Sequence, residues 1–167
     1  MGVTLDDEAR QYLAAFEDAT GVSGTDCIVQ STVTETDTDT DDTEPEAEQN
    51  AMTTASETDD QLIVVVSSGD MGEAIGPGGR TVTRFEDRVG VPVRLVEDAA
   101  DPETFVANTL APAAVYNVTI SENDDTVAYV EVADEDRGVA IGSNGRTIEA
   151  ARRLAKRHFG VDDVQLI

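Results

Sequence analysis

One thirteen-residue stretch occurs twice in this chain, sixty-six positions apart. Residues 70–82 and 136–148 are identical at eight of the thirteen aligned positions and share the pattern Ala-Ile-Gly-x-x-Gly-Arg-Thr. A single Gly-x-x-Gly is expected by chance in a chain of this length, since glycine makes up about 7% of residues. Two copies in the same context indicate an internal repeat. The chain is therefore predicted to contain two units of one design.

Hydrophobic periodicity predicts the same order of elements around each copy. For the first unit the pattern indicates a helix capped by Thr4, two strands, a short helix with Asp70 as its N-cap, a longer helix and a strand, over residues 4–20, 26–30, 62–67, 70–75, 80–89 and 91–96. For the second unit the same order falls on residues 102–110, 115–121, 126–132, 134–141, 146–158 and 163–166, with Asp101 as the predicted cap of the first helix and Pro102 in its first turn. The fold class is α+β, with the order α-β-β-α-α-β written twice. The predicted domains are residues 1–98 and 113–167, joined by a linker helix within residues 99–112 that the second domain shares.

Residues 31–60 interrupt this pattern between two strands that should pair. The segment holds eleven acidic residues and no Lys or Arg. It has too few apolar side chains to offset the conformational entropy of ordering, so we predict a disordered, solvated insert. A phosphorylated or partner-binding segment is the alternative interpretation.

The formal net charge is extreme, at −24, while 40% of residues are hydrophobic. The chain has a single Lys, Lys156, against ten Arg. This balance is typical of proteins from molar salt, where screening removes the repulsion between carboxylates. The alternative is an acidic protein that repels nucleic acid. For a halophilic protein, net charge does not exclude nucleic acid as a partner. The single Cys27 precludes an internal disulfide and favours a reducing compartment, and its place in an apolar run predicts a buried, unreactive thiol. With no membrane-length apolar run and no signal peptide over residues 1–10, we expect a cytoplasmic protein without membrane contact.

The repeated turn has the properties of an anion-binding loop. Two glycines allow a phosphodiester to approach the main chain, and the helix that follows offers unpaired amides and the positive end of its dipole. Eight of the eleven basic residues lie on the helices directly behind the two turns, namely Arg80, Arg84, Arg88, Arg146, Arg152, Arg153, Lys156 and Arg157. We expect phosphate contacts first from Arg80 and Arg146. The alternative is that these arginines pair with surface carboxylates such as Glu86.

Catalytic motifs are missing from the sequence. No P-loop or dinucleotide-binding glycine pattern is present, no Ser/His/Asp set stands out, and one His with one Cys cannot form a zinc site. We therefore expect that the protein is not an enzyme and that it binds no cofactor, metal or small-molecule substrate.

The paired Ala-Ile-Gly-x-x-Gly-Arg motifs within α-β-β-α-α-β units resemble tandem type II KH domains. Together with Phe16 through Cys27-Ile28, residues 69–76 and residues 110–113, they resemble the archaeal NusA-like transcription factors. The resemblance implies three-stranded sheets with helices on one face, and turns that clamp the backbone of about four nucleotides of single-stranded RNA. It also implies a role in transcription termination or antitermination, on nascent RNA near RNA polymerase.

The RNA-binding positions carried over from the resemblance and the charge map are Ile75, Gly76, Pro77, Gly78, Gly79, Arg80, Arg84, Ile141, Gly142, Ser143, Asn144, Gly145, Arg146 and Arg153. The middle positions of both turns are neutral here, whereas the family commonly has Lys there. In molar salt a Lys would add little affinity, so backbone amides and the apolar groove beside Ile75 and Ile141 should dominate. We favour the second turn, because its helix is more basic. The alternatives are a KH-fold interaction scaffold or a ribosome-assembly factor, with weak or no RNA binding.

Overall fold

The computed structural model describes residues 5–30 and 60–167 of the chain. Two units follow each other in the predicted order α-β-β-α-α-β. The first comprises α1 (Asp7–Thr20), β1 (Gly24–Gln30), β2 (Gln61–Val66), α2 (Met71–Ile75), α3 (Arg80–Val89) and β3 (Val93–Glu97). The second comprises α4 (Pro102–Thr109), β4 (Val115–Glu122), β5 (Thr126–Val132), α5 (Arg137–Ile141), α6 (Arg146–Phe159) and β6 (Asp163–Leu166). Short 3-10 turns cover Pro77–Gly79, Asp134–Asp136 and Ser143–Gly145. The expected cap at Thr4 and the expected disorder over residues 31–59 lie outside the described residues.

Side-chain caps explain where two of the helices begin. The Asp6 side chain accepts a hydrogen bond from Ala9 N at 2.7 Å and starts α1. Asp101 accepts from Thr104 N at 2.8 Å, with proline in the first turn of α4, as the sequence predicts. Asp70 occupies the predicted N-cap position of α2, but its side chain makes no capping hydrogen bond. The short α2 therefore depends on packing rather than on a cap.

The two units have sheets of the same topology. The strand orders are β1-β2-β3 and β4-β5-β6, and in each sheet the first pair is antiparallel and the second parallel. Cys27 lies opposite Val64, which lies opposite Leu95. The pairing of β1 with β2 across the insert is as predicted.

The first sheet is covered on both faces. On one face α1 and α3 contribute Phe16 and Phe85, whose ring centroids are 5.2 Å apart at an angle of 79°. On the other face Ile63 and Val65 pack against Phe105 of α4, together with Ile28, Val96, Ala150 and Leu154. The expectation of helices on one face is therefore wrong for this sheet. The physical reason is visible in β2, whose continuous apolar run is typical of a strand buried on both sides.

The second sheet has two different faces. One packs on α4, α5 and α6 through Val130 and Val164 of the sheet. The helices contribute Val106, Ala140 and Ala151. Side chains alternate along a strand, so the opposite face carries the cross-strand row Thr119, Tyr129 and Gln165. That row is polar, whereas the equivalent face of the first sheet is apolar.

Within the described residues, no helix is long and apolar enough to span a membrane.

Candidate nucleic-acid interface

Each Gly-x-x-Gly turn begins with a glycine in a conformation that other residues avoid. Gly76 has φ 73° and ψ 175°, and Gly142 has φ 77° and ψ 170°. Positive φ with extended ψ is a region that essentially only glycine occupies. A Cβ atom at Gly76 would lie 2.0 Å from Thr81 Oγ1, and one at Gly142 would lie 2.4 Å from Thr147 Oγ1. Backbone conformation and packing therefore both require glycine at the first position.

These contacts also give a role to the threonine of the repeated Arg-Thr pair. Thr81 and Thr147 each pack against the first glycine of their own turn. The sequence shows the identity of the two threonines, but spacing alone does not reveal that the fifth residue after a glycine returns to contact it.

The second half of each turn is left-handed. Gly78 has φ 62° and Asn144 has φ 55°, and Gly79 and Gly145 follow at 76° and 73°. Asn144 is the only non-glycine residue with positive φ in the described part of the chain, and asparagine tolerates this region better than most residues. The turns are closed by hydrogen bonds of 3.1 Å from Gly79 N to Gly76 O and from Gly145 N to Gly142 O. The two turns thus have the same shape with different middle residues.

Helices α3 and α6 begin directly after the turns. Their N-cap residues, Gly79 and Gly145, provide no side-chain cap. The first-turn amides are therefore left without a side-chain acceptor at the cap, at the positive end of the helix dipole. This arrangement suits an anionic phosphodiester.

Exposed apolar side chains lie beside both turns. Ile75 is 39% exposed at the end of α2, and Ile141 is 42% exposed at the end of α5. Val139 adds a third exposed apolar side chain, on α5. Such side chains can contact the apolar face of a base, so each turn combines an anion-binding backbone with an apolar edge.

On α3, two of the three predicted arginines are available to a ligand. Arg80 and Arg84 are exposed, and neither has a hydrogen-bond or ion-pair partner among the described residues. Arg88, in contrast, pairs with Asp18 of α1 at 2.5 Å. The first turn therefore has two cations close behind it.

On α6, basic residues behind the second turn make contacts within the protein. Arg152 pairs with Asp163 at 2.8 Å, Arg153 donates to Val29 O at 2.8 Å, and Arg157 pairs with a carboxylate of β1. Arg153 therefore reaches the first unit, which differs from its predicted place in the RNA site. The second turn was favoured because α6 has more basic residues than α3. Since several of these residues are engaged within the protein, their number no longer supports that preference.

The base of the second turn is also attached to the first unit. Gln30 Nε2, at the end of β1, donates to Arg146 O at 2.8 Å. The Arg146 side chain is partly buried, unlike that of Arg80. The two equivalent arginines of the repeat thus have different surroundings, although the sequence around them is the same.

A buried ionic cluster joins the two units. Asp26 of β1 is fully buried, and its carboxylate accepts from Arg157 Nε at 2.7 Å and from Arg157 Nη2 at 3.0 Å. His158 Nε2 lies 2.8 Å from the same carboxylate, and Cys27 N donates to it at 2.8 Å. The His158 ring lies against Phe105, with centroids 4.9 Å apart. Burial alone would raise the pKa of Asp26, but these hydrogen bonds and the charge of Arg157 outweigh it and lower the pKa.

This cluster was not predicted from the sequence. An aspartate beside the apolar run Cys27-Ile28-Val29 is the only available signal, because a buried carboxylate requires a partner. The sequence does not show that the partner comes from α6, which lies more than a hundred positions away. Cys27 next to it is buried, as predicted, and burial together with the charge of Asp26 raises the pKa of its thiol to about 12.

Comparisons with known proteins agree with this architecture. Residues 102–165 match the family described as NusA-like second KH domain. The chain is 48% identical over 166 residues to a protein of Halobacterium salinarum named probable transcription termination protein NusA, with 99% of each chain covered. It is 47% identical over 166 residues to a protein of the same name from Halococcus morrhuae, again with 99% of each covered. A solved structure titled crystal structure of APE1850 is 26% identical, with a TM-score of 0.73 over 98% of this chain and 100% of that one.

Proposed function

Because this chain belongs to the family of the archaeal probable transcription termination protein NusA, we propose that it is an RNA-binding factor of transcription termination or antitermination. Both units act as KH domains in this proposal, over residues 1–98 and 113–167 with the shared linker helix between them. The observation that supports it most directly is the duplicated turn: two glycine-dependent loops of one shape, each leading into a helix N-terminus without a side-chain cap.

The RNA backbone lies along each turn in this proposal. For the first unit the contacts are the loop Gly76–Gly79, the apolar edge of Ile75, and the guanidinium groups of Arg80 and Arg84. For the second unit they are the loop Gly142–Gly145, Ile141 and Arg146. Since the middle residues of both loops are neutral, binding uses amides and apolar contacts more than net charge, and it should tolerate molar salt better than phosphate pairing by lysine would.

The contacts of α6 change the expected ranking of the two turns. Arg153 donates to the main chain of β1, so we place it in the interface between the units rather than on the RNA. Because Arg80 and Arg84 are free of partners among the described residues, the first turn contributes more of the cationic contact. The second turn contributes mainly backbone and apolar contact.

The proposed partners are single-stranded RNA and, through it, the transcribing RNA polymerase. The protein acts by binding and positioning RNA, with no catalytic step. The engaged arginines of α6 favour one alternative: an interaction scaffold that keeps the KH fold and binds RNA weakly or not at all.

The two functions separate in a binding experiment at molar KCl. A short single-stranded RNA with a fluorescent label is titrated with the wild-type chain, with the loop variant Ser143→Asp/Asn144→Asp, and with Pro77→Asp/Gly78→Asp. Aspartate tolerates the left-handed position, so each variant should keep its loop while placing carboxylates against the phosphates. We expect each to weaken binding by about tenfold or more.

A matched control is Ser68→Asp with Asn123→Asp, two exposed positions in other turns. This control adds the same charge and should leave the affinity unchanged. If the wild type binds RNA but the loop variants bind equally well, the proposed site is wrong. If the wild type does not bind single-stranded RNA at any salt concentration at which it is folded, the scaffold is the better description.

A further inference from the structure

In the part of the chain that the structure describes, the two sheets have four edge strands, β1, β3, β4 and β6. An exposed edge presents unpaired backbone groups that can pair with another strand, and folded proteins usually block it. On β1, Asp26 Oδ1 accepts from Cys27 N at 2.8 Å, and Arg153 donates to Val29 O at 2.8 Å. Side chains therefore occupy backbone groups of the first edge.

The edges β3 and β6 are blocked in the same way. On β3, Glu86 Oε1 accepts from Val93 N at 3.2 Å, and Asn108 Nδ2 donates to Glu97 O at 3.0 Å. On β6, Asp163 Oδ1 accepts from Val164 N at 2.8 Å, and Arg152 Nε donates to Val164 O at 3.2 Å. On three of the four edges, therefore, one side chain donates to the backbone of the strand and another accepts from it.

Strand β4 is the exception. At eight residues it is the longest of the four edges, and within residues 5–30 and 60–167 no side chain hydrogen-bonds to its backbone. Residues 115–121 contain no charge and no proline, which are the usual blocking devices. A bulge between Val115 and Asn117 affects only the start of the strand and leaves the rest regular. The edge is therefore open to a partner strand.

The surface beside β4 is open as well. A groove of about 420 Å³ lies between β4 and α4, lined by Glu103, Thr104 and Ala107 of the helix and by Val115, Asn117 and Val118 of the strand. Tyr116 borders this groove and is 68% exposed, the highest value among the large hydrophobic side chains of the described residues. Within the described residues, an open strand edge therefore lies next to an open groove of mixed polar and apolar lining.

We propose that β4 is a homodimerisation edge, which pairs antiparallel with β4 of a second copy to join two three-stranded sheets into one of six strands. The strand itself selects this occupant. Residues 115–121 carry no carboxylate, so two copies can pair along this run without placing like charges directly opposite each other. Isologous two-fold contact requires a self-complementary strand, because each residue meets the same surface on the partner.

The sequence of β4 has this self-complementarity. With Thr119 on the two-fold axis, it faces the partner's Thr119, and Asn117 faces Ser121 of the partner subunit. On the α4 side of the sheet, Val118 faces the partner's Ile120, next to the groove. Cross-strand threonine pairs and β-branched pairs stabilise antiparallel strands. Glu122, the one charge of the strand, faces Tyr116 of the partner subunit and no carboxylate.

Cysteine cross-linking at the axis tests this inference, and the native chain provides a quiet background because Cys27 is buried. In Thr119→Cys the two thiols would meet across the axis, and an added oxidant would join them. The matched control is Glu131→Cys, exposed on the adjacent strand β5 opposite Asn117. We expect covalent dimer to form at least about tenfold faster from Thr119→Cys than from Glu131→Cys.

Hydrogen exchange on the unmodified protein provides a second measurement. Amides of Val115–Glu122 that face away from β5 should exchange at least about tenfold more slowly at high than at low protein concentration. Amides of β6, whose edge is blocked, should show no such dependence. Equal cross-linking of the two cysteine variants, or exchange in β4 that is independent of concentration, would overturn the proposal. Either result leaves RNA binding by the two turns unaffected.

Discussion

Replacing Asp26 by alanine tests the claim that a buried ionic cluster holds the two units together. The carboxylate is fully buried and serves two side chains of α6, Arg157 and His158. Its removal leaves the Arg157 guanidinium, whose side chain is 30% exposed, without its buried acceptor. Breaking a buried pair from one side costs about 3–5 kcal/mol, because the remaining charge is left desolvated. A domain of ordinary stability has only about 5–15 kcal/mol in total.

The expected loss is large enough to measure in two ways. In guanidinium titrations the free energy of unfolding of Asp26→Ala should fall by about 3–5 kcal/mol relative to wild type. For a chain of this size that corresponds to a Tm lower by about 6–20 °C. Both experiments belong in molar KCl, where exposed ion pairs are screened but a buried one is not.

Asp18→Ala is the matched control, since it also removes an aspartate that pairs with an arginine. The partners Arg88 and Asp18 are 2.5 Å apart, with side chains 48% and 72% exposed. Exposed pairs contribute about 0–1 kcal/mol, so this variant should be nearly as stable as wild type. If Asp26→Ala loses no more stability than Asp18→Ala, the reasoning about the buried cluster is refuted.

Three further predictions follow from the same geometry. Because the pKa of Asp26 is lowered in the folded state, its stabilising contribution is complete above the ordinary value of 3.8 and is lost as pH falls through the folded pKa. The stability difference between wild type and Asp26→Asn should therefore shrink over that acidic range in unfolding titrations, and a constant difference would contradict it. Gly76→Ala and Gly142→Ala should each cost about 1–3 kcal/mol from the backbone conformation alone, with more from the threonine contact. Gly69→Ala, also at positive φ but with no atom near its Cβ, separates the two causes in a thermal melt. The Cys27 thiol, buried with a pKa raised to about 12, should not react with iodoacetamide in the native state at neutral pH and should react on unfolding, as mass spectrometry would show.

Local structure was largely predictable from the sequence. The helix over residues 80–89 and the strand over residues 126–132 have the predicted bounds, because glycine stops, turn residues and apolar periodicity all agree there. The Asp101 cap was also predicted, since the capping bond lies within four residues. Such features depend on neighbours in the sequence, which a single chain records directly.

The contacts between units were less predictable. The sequence analysis expected helices on one face of each sheet, and nothing in the sequence showed that α4 and α6 cover the second face of the first sheet. Helical spacing places Arg152, Arg153 and Arg157 on α6 without showing which carbonyl or carboxylate each one meets. The number of basic residues on a helix therefore overestimated how many of them are available to contact a ligand.

The polar row Thr119, Tyr129 and Gln165 on the outer face of the second sheet has a consequence for how units of this fold can be stacked. In the first sheet the equivalent face is apolar and receives the helices of the next unit. A third unit docked on this face in the same manner would bury the hydroxyl and amide groups of the row without giving them hydrogen-bond partners. The cost of that desolvation opposes association. The second unit thus acts as a terminal cap of the kind that ends repeat arrays. A first unit produced alone would lack that cap, and its exposed β-rich face would make it prone to aggregate.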